Sequence, residues 1–126
     1  MQKTFDCGID LGTTNSCLAI PGESTSFEIV ENQQDRMKVT PSAVEINARG
    51  RITVGQRAYN SQHPENLAIQ FKRQMGTKRV FHFEAANIDK SPEELSSEIL
   101  KRIRADAESR LMHPVEIYQI RLVHPF

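Results

Sequence analysis

The chain has no tryptophan and only two cysteines, Cys7 and Cys17, in 126 residues. Two cysteines do not build a disulfide framework. Neither charge sign is in surplus, since 16 Lys and Arg offset 16 Asp and Glu. The basic excess of a nucleic-acid binder is therefore missing, and no nucleic-acid partner is expected. No apolar run approaches the roughly 20 residues of a membrane span, so no membrane partner is expected either. The first residues open directly into an apolar run rather than a signal peptide, which makes a reducing cytoplasm the expected location. The Gly-x-x-x-x-Gly-Lys-Ser/Thr loop and the Gly-x-Gly-x-x-Gly turn are both absent, which argues against P-loop and dinucleotide folds. The histidines are His63, His82, His113 and His124. Three of them precede prolines and none has ligand spacing with the cysteines, so a zinc site is not expected.

What the chain does have is organised around Gly8-Ile9-Asp10-Leu11-Gly12-Thr13-Thr14-Asn15-Ser16. The apolar run Phe5 to Leu11 leads in and Cys17 to Ile20 leads out, the pattern of a hairpin. Small residues in the turn let backbone N–H groups crowd toward an anion. Thr13, Thr14 and Ser16 add hydroxyl donors. Asp10, where the strand meets the turn, can hold a hydrated cation beside that anion. Phosphate plus a divalent metal is one reading, and an ordinary Asp-Gly hairpin turn is the other. In such a hairpin Cys17 lies opposite about residue 10 and Cys7 opposite about residue 20. The offset is roughly 7–10 Å at strand rise, too far for an unstrained bridge. Both cysteines are expected to be buried free thiols. A redox role for Cys17 would need an exposed thiol of lowered pKa.

Further on, Ser26 to Val30 is a third strand candidate and Glu31 to Lys38 a polar surface loop. A strand is expected to begin after Pro41, which limits pairing at its own position, and to run through Val44 to Ile46. Asn47 to Gly50 turns and Ile52 to Val54 returns as a strand. Gly55 to Gln62 reads as a short helix stopped by His63-Pro64, and Asn66 to Met75 as a further helical turn ending at Gly76. Between Thr77 and Asp89, only Val80, Phe81 and Phe83 suggest a strand. Ser91-Pro92-Glu93-Glu94 is a capping box with proline at the first helical position. Leu95, Ile99, Ile103, Ala107 and Leu111 then recur every four residues, the stripe of an amphipathic helix that stops before Pro114. Val115 to Val123 is the last strand. It follows a helix, so its natural partner is the first strand, running parallel.

Lys72, on a turn between Phe71 and Met75, can be held against a phosphate, as phosphoryl transfer requires of fixed positive charge. Spacing alone favours the plainer reading, two surface cations (Lys72 and Arg73) beside a core pair.

Gly8 to Cys17 resembles the first phosphate loop of the seventy-kilodalton heat-shock chaperones of the DnaK type, whose ATPase fold is actin-like and shared with sugar kinases. Thr40-Pro41-Ser42-Ala43-Val44, Val54-Gly55-Gln56-Arg57-Ala58, Pro64-Glu65-Asn66, Lys72-Arg73-Gln74-Met75-Gly76 and Ser91 to Leu100 follow in that family's order. The resemblance implies ATP or ADP and Mg2+ as cofactors. Asp10 would bind magnesium through water. Gly12, Thr13, Thr14 and Asn15 would wrap the β- and γ-phosphates, and Lys72 would be the catalytic lysine at the γ-phosphate.

The implied fold is α/β: residues 1–126 form the N-terminal part of the first lobe of an actin-like, ribonuclease-H-like ATPase domain. Its mixed sheet has a strand order near 3-2-1-4, and a small outer subdomain spans roughly 40–114. In the parent protein, ATP hydrolysis would drive binding and release of unfolded polypeptides. A J-domain co-chaperone and a nucleotide-exchange factor would be partners. The alternative is a non-catalytic, chaperone-like interaction module that kept the loop and lost turnover. Two departures stand out. The stretch from Gly76 to Ser91 is short, as in compact bacterial members. The last strand would end Val-Pro-Ala-Tyr-Phe in the family, where this chain has Leu122-Val123-His124-Pro125-Phe126. The chain is expected to be inactive by itself, with its last strand prone to self-association.

Overall fold

The computed structural model describes residues 5–21, 27–112 and 115–122. Strand β1 (Phe5–Leu11) turns back into β2 (Asn15–Pro21), and the two pair antiparallel with Asp10 opposite Cys17 and Leu11 opposite Ser16. This is the hairpin and register expected from the sequence. Strand β3 (Phe27–Ile29) adds to β2 antiparallel. The expected start of that strand at Ser26 lies outside the described residues, as does the last residue, Val123, of the expected final strand.

A two-residue strand β4 (Thr40–Pro41) also pairs with β2. Pro41 stands opposite Asn15, so the chain joins the ladder before the proline rather than after it. A proline is tolerated there because β4 is a short edge piece with few N–H groups to supply. Strand β5 (Ala43–Ile46) then pairs on one side with β6 (Ile52–Val54) and on the other with β7 (Leu67–Ile69), all antiparallel.

Two helical expectations shorten or change here. Gly55 to Gln62 contributes a single turn, α1 (Gln56–Tyr59). Asn66 to Met75 is not helical throughout. It splits into a 3-10 turn at Pro64–Asn66, strand β7, and a second 3-10 turn at Phe71–Gln74. Pairing with β5 overrides local preference at Leu67–Ile69, because the ladder satisfies backbone groups that a helix would otherwise use. Gln70 marks the change of direction with a left-handed φ of 54°.

A small hairpin, β8 (Phe81–Phe83) and β9 (Ile88–Lys90), follows. Its first strand was expected from the sequence and its second was not. Helix α2 (Pro92–Leu111) begins as its sequence dictates. Ser91 Oγ accepts from the Glu94 amide at 3.1 Å, and Glu94 Oε1 accepts from the Ser91 amide at 3.0 Å. Strand β10 (Val115–Leu122) runs parallel to β1, giving the order β10-β1-β2-β3, which agrees with the expected 3-2-1-4.

Period-2 and period-4 patterns meet in one core. Cys7, Ile9 and Leu11 from β1, and Leu18 and Ile20 from β2, lie buried with Leu95, Ile99, Ile103 and Ala107 of α2. Val44, Ile46, Phe71 and Phe83 extend that core beneath the second sheet. Each large side chain contributes about 1.5–3 kcal/mol on burial, so α2 holds both sheets through a single stripe.

Candidate phosphate loop

The turn between β1 and β2 is three residues long, Gly12-Thr13-Thr14. It closes tightly: a Cβ built on Gly12 would stand 2.2 Å from the Asn15 carbonyl oxygen. Only glycine fits that approach without moving backbone.

Ser42 holds the turn from outside. Its Oγ donates to the Gly12 carbonyl at 2.9 Å, and its backbone N–H donates to the Thr14 carbonyl at 2.8 Å. Ser42 Oγ also lies 3.0 Å from Ser16 Oγ. A hydroxyl has one proton, and Ser42 has given its own to Gly12, so Ser16 is the donor in that pair. Two turn carbonyls are thereby occupied from behind.

Two side-chain oxygens around the turn are left over. Asp10 Oδ1 and Thr13 Oγ1 are both buried and have no hydrogen-bond partner among the described residues. A buried, unmatched polar atom costs about 1–3 kcal/mol, so such atoms mark places where a ligand or water completes the arrangement. Thr14 and Asn15 are exposed. The turn thus combines a glycine-only cradle, two unmatched oxygens and two accessible residues, the donor set a phosphate with a hydrated divalent cation would complete. Among the described residues no cluster of three or more His, Cys, Asp or Glu forms. A magnesium ion here would rely on one carboxylate, phosphate oxygens and water, which suits its reluctance to dehydrate.

Asp10 and Cys17 share an open depression of about 420 Å³ with Gly8, Ile9, Ala19, Phe27 and Ile29. Neither cysteine is in a disulfide, as expected. Cys7 is buried, but Cys17 is only half-buried, a correction to the expectation that both would be enclosed. The alternation of β2 explains it, because Leu18 and Ile20 take the core side. Burial, and then the Asp10 carboxylate, push the Cys17 thiol up from its ordinary value, partly offset by a hydrogen bond from the Asp10 backbone. A thiol held protonated in this way is a poor nucleophile.

Lys72 sits in the 3-10 turn Phe71–Gln74 and is only 9% exposed, while its neighbour Arg73 is exposed. The expectation of two solvated cations holds for Arg73 alone. Phe71 anchors the turn edge-on against Phe81, with ring centroids 6.4 Å apart. The covalent and ladder path from loop to lysine is short: Ser42 precedes Ala43, Ala43 pairs with Ile69, and Lys72 follows three residues later. Sequence reasoning placed Ser42 in a family motif without giving it a task. The signal was Thr-Pro-Ser entering a strand, but its partner lies 30 residues earlier.

The family model described as Hsp70 protein matches residues 6–90. The chain belongs to the Hsp70 family. The Chaperone protein DnaK of Thermotoga petrophila is 37% identical over 112 residues, which is 87% of this chain and 18% of that protein. The Chaperone protein DnaK of Thermotoga maritima gives the same identity and coverage, and that of Thermotoga neapolitana is 36% identical over the same length. This Hsp70-family chain therefore spans about a fifth of the length of the curated relatives it matches. Of the motifs that carry the resemblance, those from the Gly12 turn through Lys72 to Gly76 fall within the matched stretch, and Ser91 to Leu100 lies just beyond it. No helix among the described residues is long and apolar enough to cross a membrane.

Proposed function

We propose that this chain supplies the first phosphate loop of an Hsp70 ATP site, within the N-terminal part of the first, actin-like lobe of the nucleotide-binding domain. Gly12, Thr13, Thr14 and Asn15 take the β- and γ-phosphates. Asp10 takes magnesium through water, and Lys72 is the fixed charge at the γ-phosphate. Bound magnesium would neutralise phosphate charge during transfer. The chain's own part is to present donors in place beforehand. Residues 40–114 form roughly the outer subdomain. In the whole protein, cytoplasmic ATP turnover would drive binding and release of unfolded polypeptides, with a J-domain co-chaperone and a nucleotide-exchange factor as partners.

The observation that carries this reading is the pair of buried, unmatched oxygens, Asp10 Oδ1 and Thr13 Oγ1, on either side of a glycine that admits no side chain. The test is titration of Mg-ATP into the purified chain, following backbone amides by NMR. Shifts centred on Gly12 to Asn15 that lose their magnesium dependence in Asp10→Asn support the reading. A folded chain whose loop amides stay still at millimolar Mg-ATP overturns it. A whole protein that binds Mg-ATP through this loop without turning it over would be the non-catalytic module instead.

A further inference from the structure

A second cleft, larger than the depression at Asp10, opens between α2 and the β5–β6 sheet. It encloses about 710 Å³, within the range of small-molecule sites. Three elements bring cations to it: Arg51 from the turn before β6, Arg57 from α1, and Lys101 and Arg102 from α2. One carboxylate, Glu98, lines it as well, and Lys101 binds that carboxylate at 3.3 Å.

Two of the remaining cations are not neutralised. The side chains of Arg51 and Arg57 have no ion pair or hydrogen bond among the described residues. Arg102 is held by Asp106 at 2.6 Å, yet its Nε is buried without an acceptor. Asp106 is itself almost wholly buried, so this guanidinium is fixed on its helix rather than free to swing into solvent. On the opposite wall, Gln34 ties the polar loop to the sheet. Its Nε2 donates to the Val54 carbonyl at 2.7 Å, and its Oε1 accepts from the Arg57 amide. That bond sets the backbone from which Arg57 projects. An ordinary solvated helix face alternates charges and pairs them at i, i+4. Here the pairs lie along α2, and the surplus from β6 and α1 faces the same hollow.

We propose that this cleft is an anion site for a phosphate group, carried either by inorganic phosphate or by a small phosphomonoester. It is separate from the Gly12 loop. Guanidinium forks match phosphate oxygens in paired hydrogen bonds. Two unpaired forks, Arg51 and Arg57, reach the hollow from separate elements, with the Asp106-bound Arg102 on the third wall, and such an arrangement suits a tetrahedral dianion better than a planar carboxylate.

The test is NMR titration of the 126-residue chain with inorganic phosphate, glycerol 3-phosphate and a hexaglutamate peptide, at low and moderate ionic strength. The expected result is saturable shifts at residues 51–57 and 98–105 with the two phosphates, weakening as salt rises. Arg51→Gln with Arg57→Gln should weaken binding there by about ten-fold or more, as loss of two charge-assisted contacts would. Both residues are exposed, so the variant keeps the fold, and its unperturbed core amides verify this. Gly12→Ala, which alters the other site, should leave these shifts in place. The proposal is overturned if phosphate moves no amide in 51–57, if the double substitution leaves its affinity unchanged, or if hexaglutamate saturates the cleft and phosphate does not. The last outcome would make it a docking surface for an acidic peptide.

Discussion

Ser42 and Gly12, 30 positions apart in the chain, are joined by a hydrogen bond of 2.9 Å from the serine hydroxyl to the glycine carbonyl. The residue that links β4 to β5 thereby grips the turn of the first sheet. Ser42→Ala removes one donor and strands two buried groups, the Gly12 carbonyl and the Ser16 hydroxyl. The expected cost is about 1–3 kcal/mol, read as a lower urea midpoint with unchanged slope. Gly12→Ala should cost a similar amount through forced backbone movement, and amide shifts should spread along Gly12 to Ser16. A Ser42→Ala chain as stable as the parent would show that the turn holds its shape without help.

Lys72 gives a prediction for the whole protein. Lys72→Ala should leave Mg-ATP binding nearly unchanged and slow single-turnover hydrolysis by about 100-fold or more, since one preorganised donor supplies about 2.7–4 kcal/mol in the transition state. Equal rates in variant and parent would remove Lys72 from the reaction. If the proposed function holds, the 126-residue chain by itself should hydrolyse no ATP above background, because the proposed site takes part of its positioning from a second lobe.

The start of α2 sets a pH dependence. A hydrogen bond from the Gly76 amide, at 2.7 Å, holds Glu93 below the ordinary glutamate range, and one from the Ser91 amide does the same for Glu94. A depressed folded pKa contributes stability that is complete above the unfolded value, about 4.3. It is lost as pH falls through the folded one. Amide exchange at Gly76 and Ser91 should therefore accelerate as pH drops below that range, after correction for intrinsic rates. Glu94→Gln, which keeps an acceptor for the cap, should flatten the Ser91 response and leave Gly76 unaffected.

Among the described residues, strand β10 lies at the end of the sheet order and pairs with β1 alone. An edge of eight residues offers unpaired backbone groups to another chain. Light scattering across a concentration series should show reversible association, weakened by Leu122→Lys, which places a charge on that edge. A monomer at all concentrations, indifferent to the substitution, would count against this strand as the contact.

The elements written in local chemistry were readable before any coordinates. Ser91, Pro92 and Glu94 announce the start of α2, and Leu95 to Leu111 repeat its buried stripe. Gly12 and its neighbours fix the hairpin and its register, Asp10 against Cys17. Two of the three-residue strands, β7 and β9, were not readable. Leu67–Ile69 has no period long enough to separate strand from helix, and its identity comes from β5. Ile88–Lys90 likewise exists because Phe81–Phe83 pairs with it. Within the candidate site, the turn was legible from its small residues. The grip of Ser42 was not, because nothing near Ser42 in sequence points to Gly12. The burial of Lys72 beside an exposed Arg73 depends on how a 3-10 turn rotates adjacent side chains, which spacing does not show.

The pairing of β1 with β10 also bears on how the chain is made. Phe5 stands beside Val115, more than a hundred positions later. At roughly 5–20 residues per second on the ribosome, β1 waits about 6–23 s for its parallel neighbour to be synthesised. During that interval the β1–β2 hairpin can form, but its outer edge has no native strand to receive. The Gly12 turn is thus built well before the strand that flanks β1, and the first strand of this chaperone relative spends that interval exposed to the mispairing that edges invite.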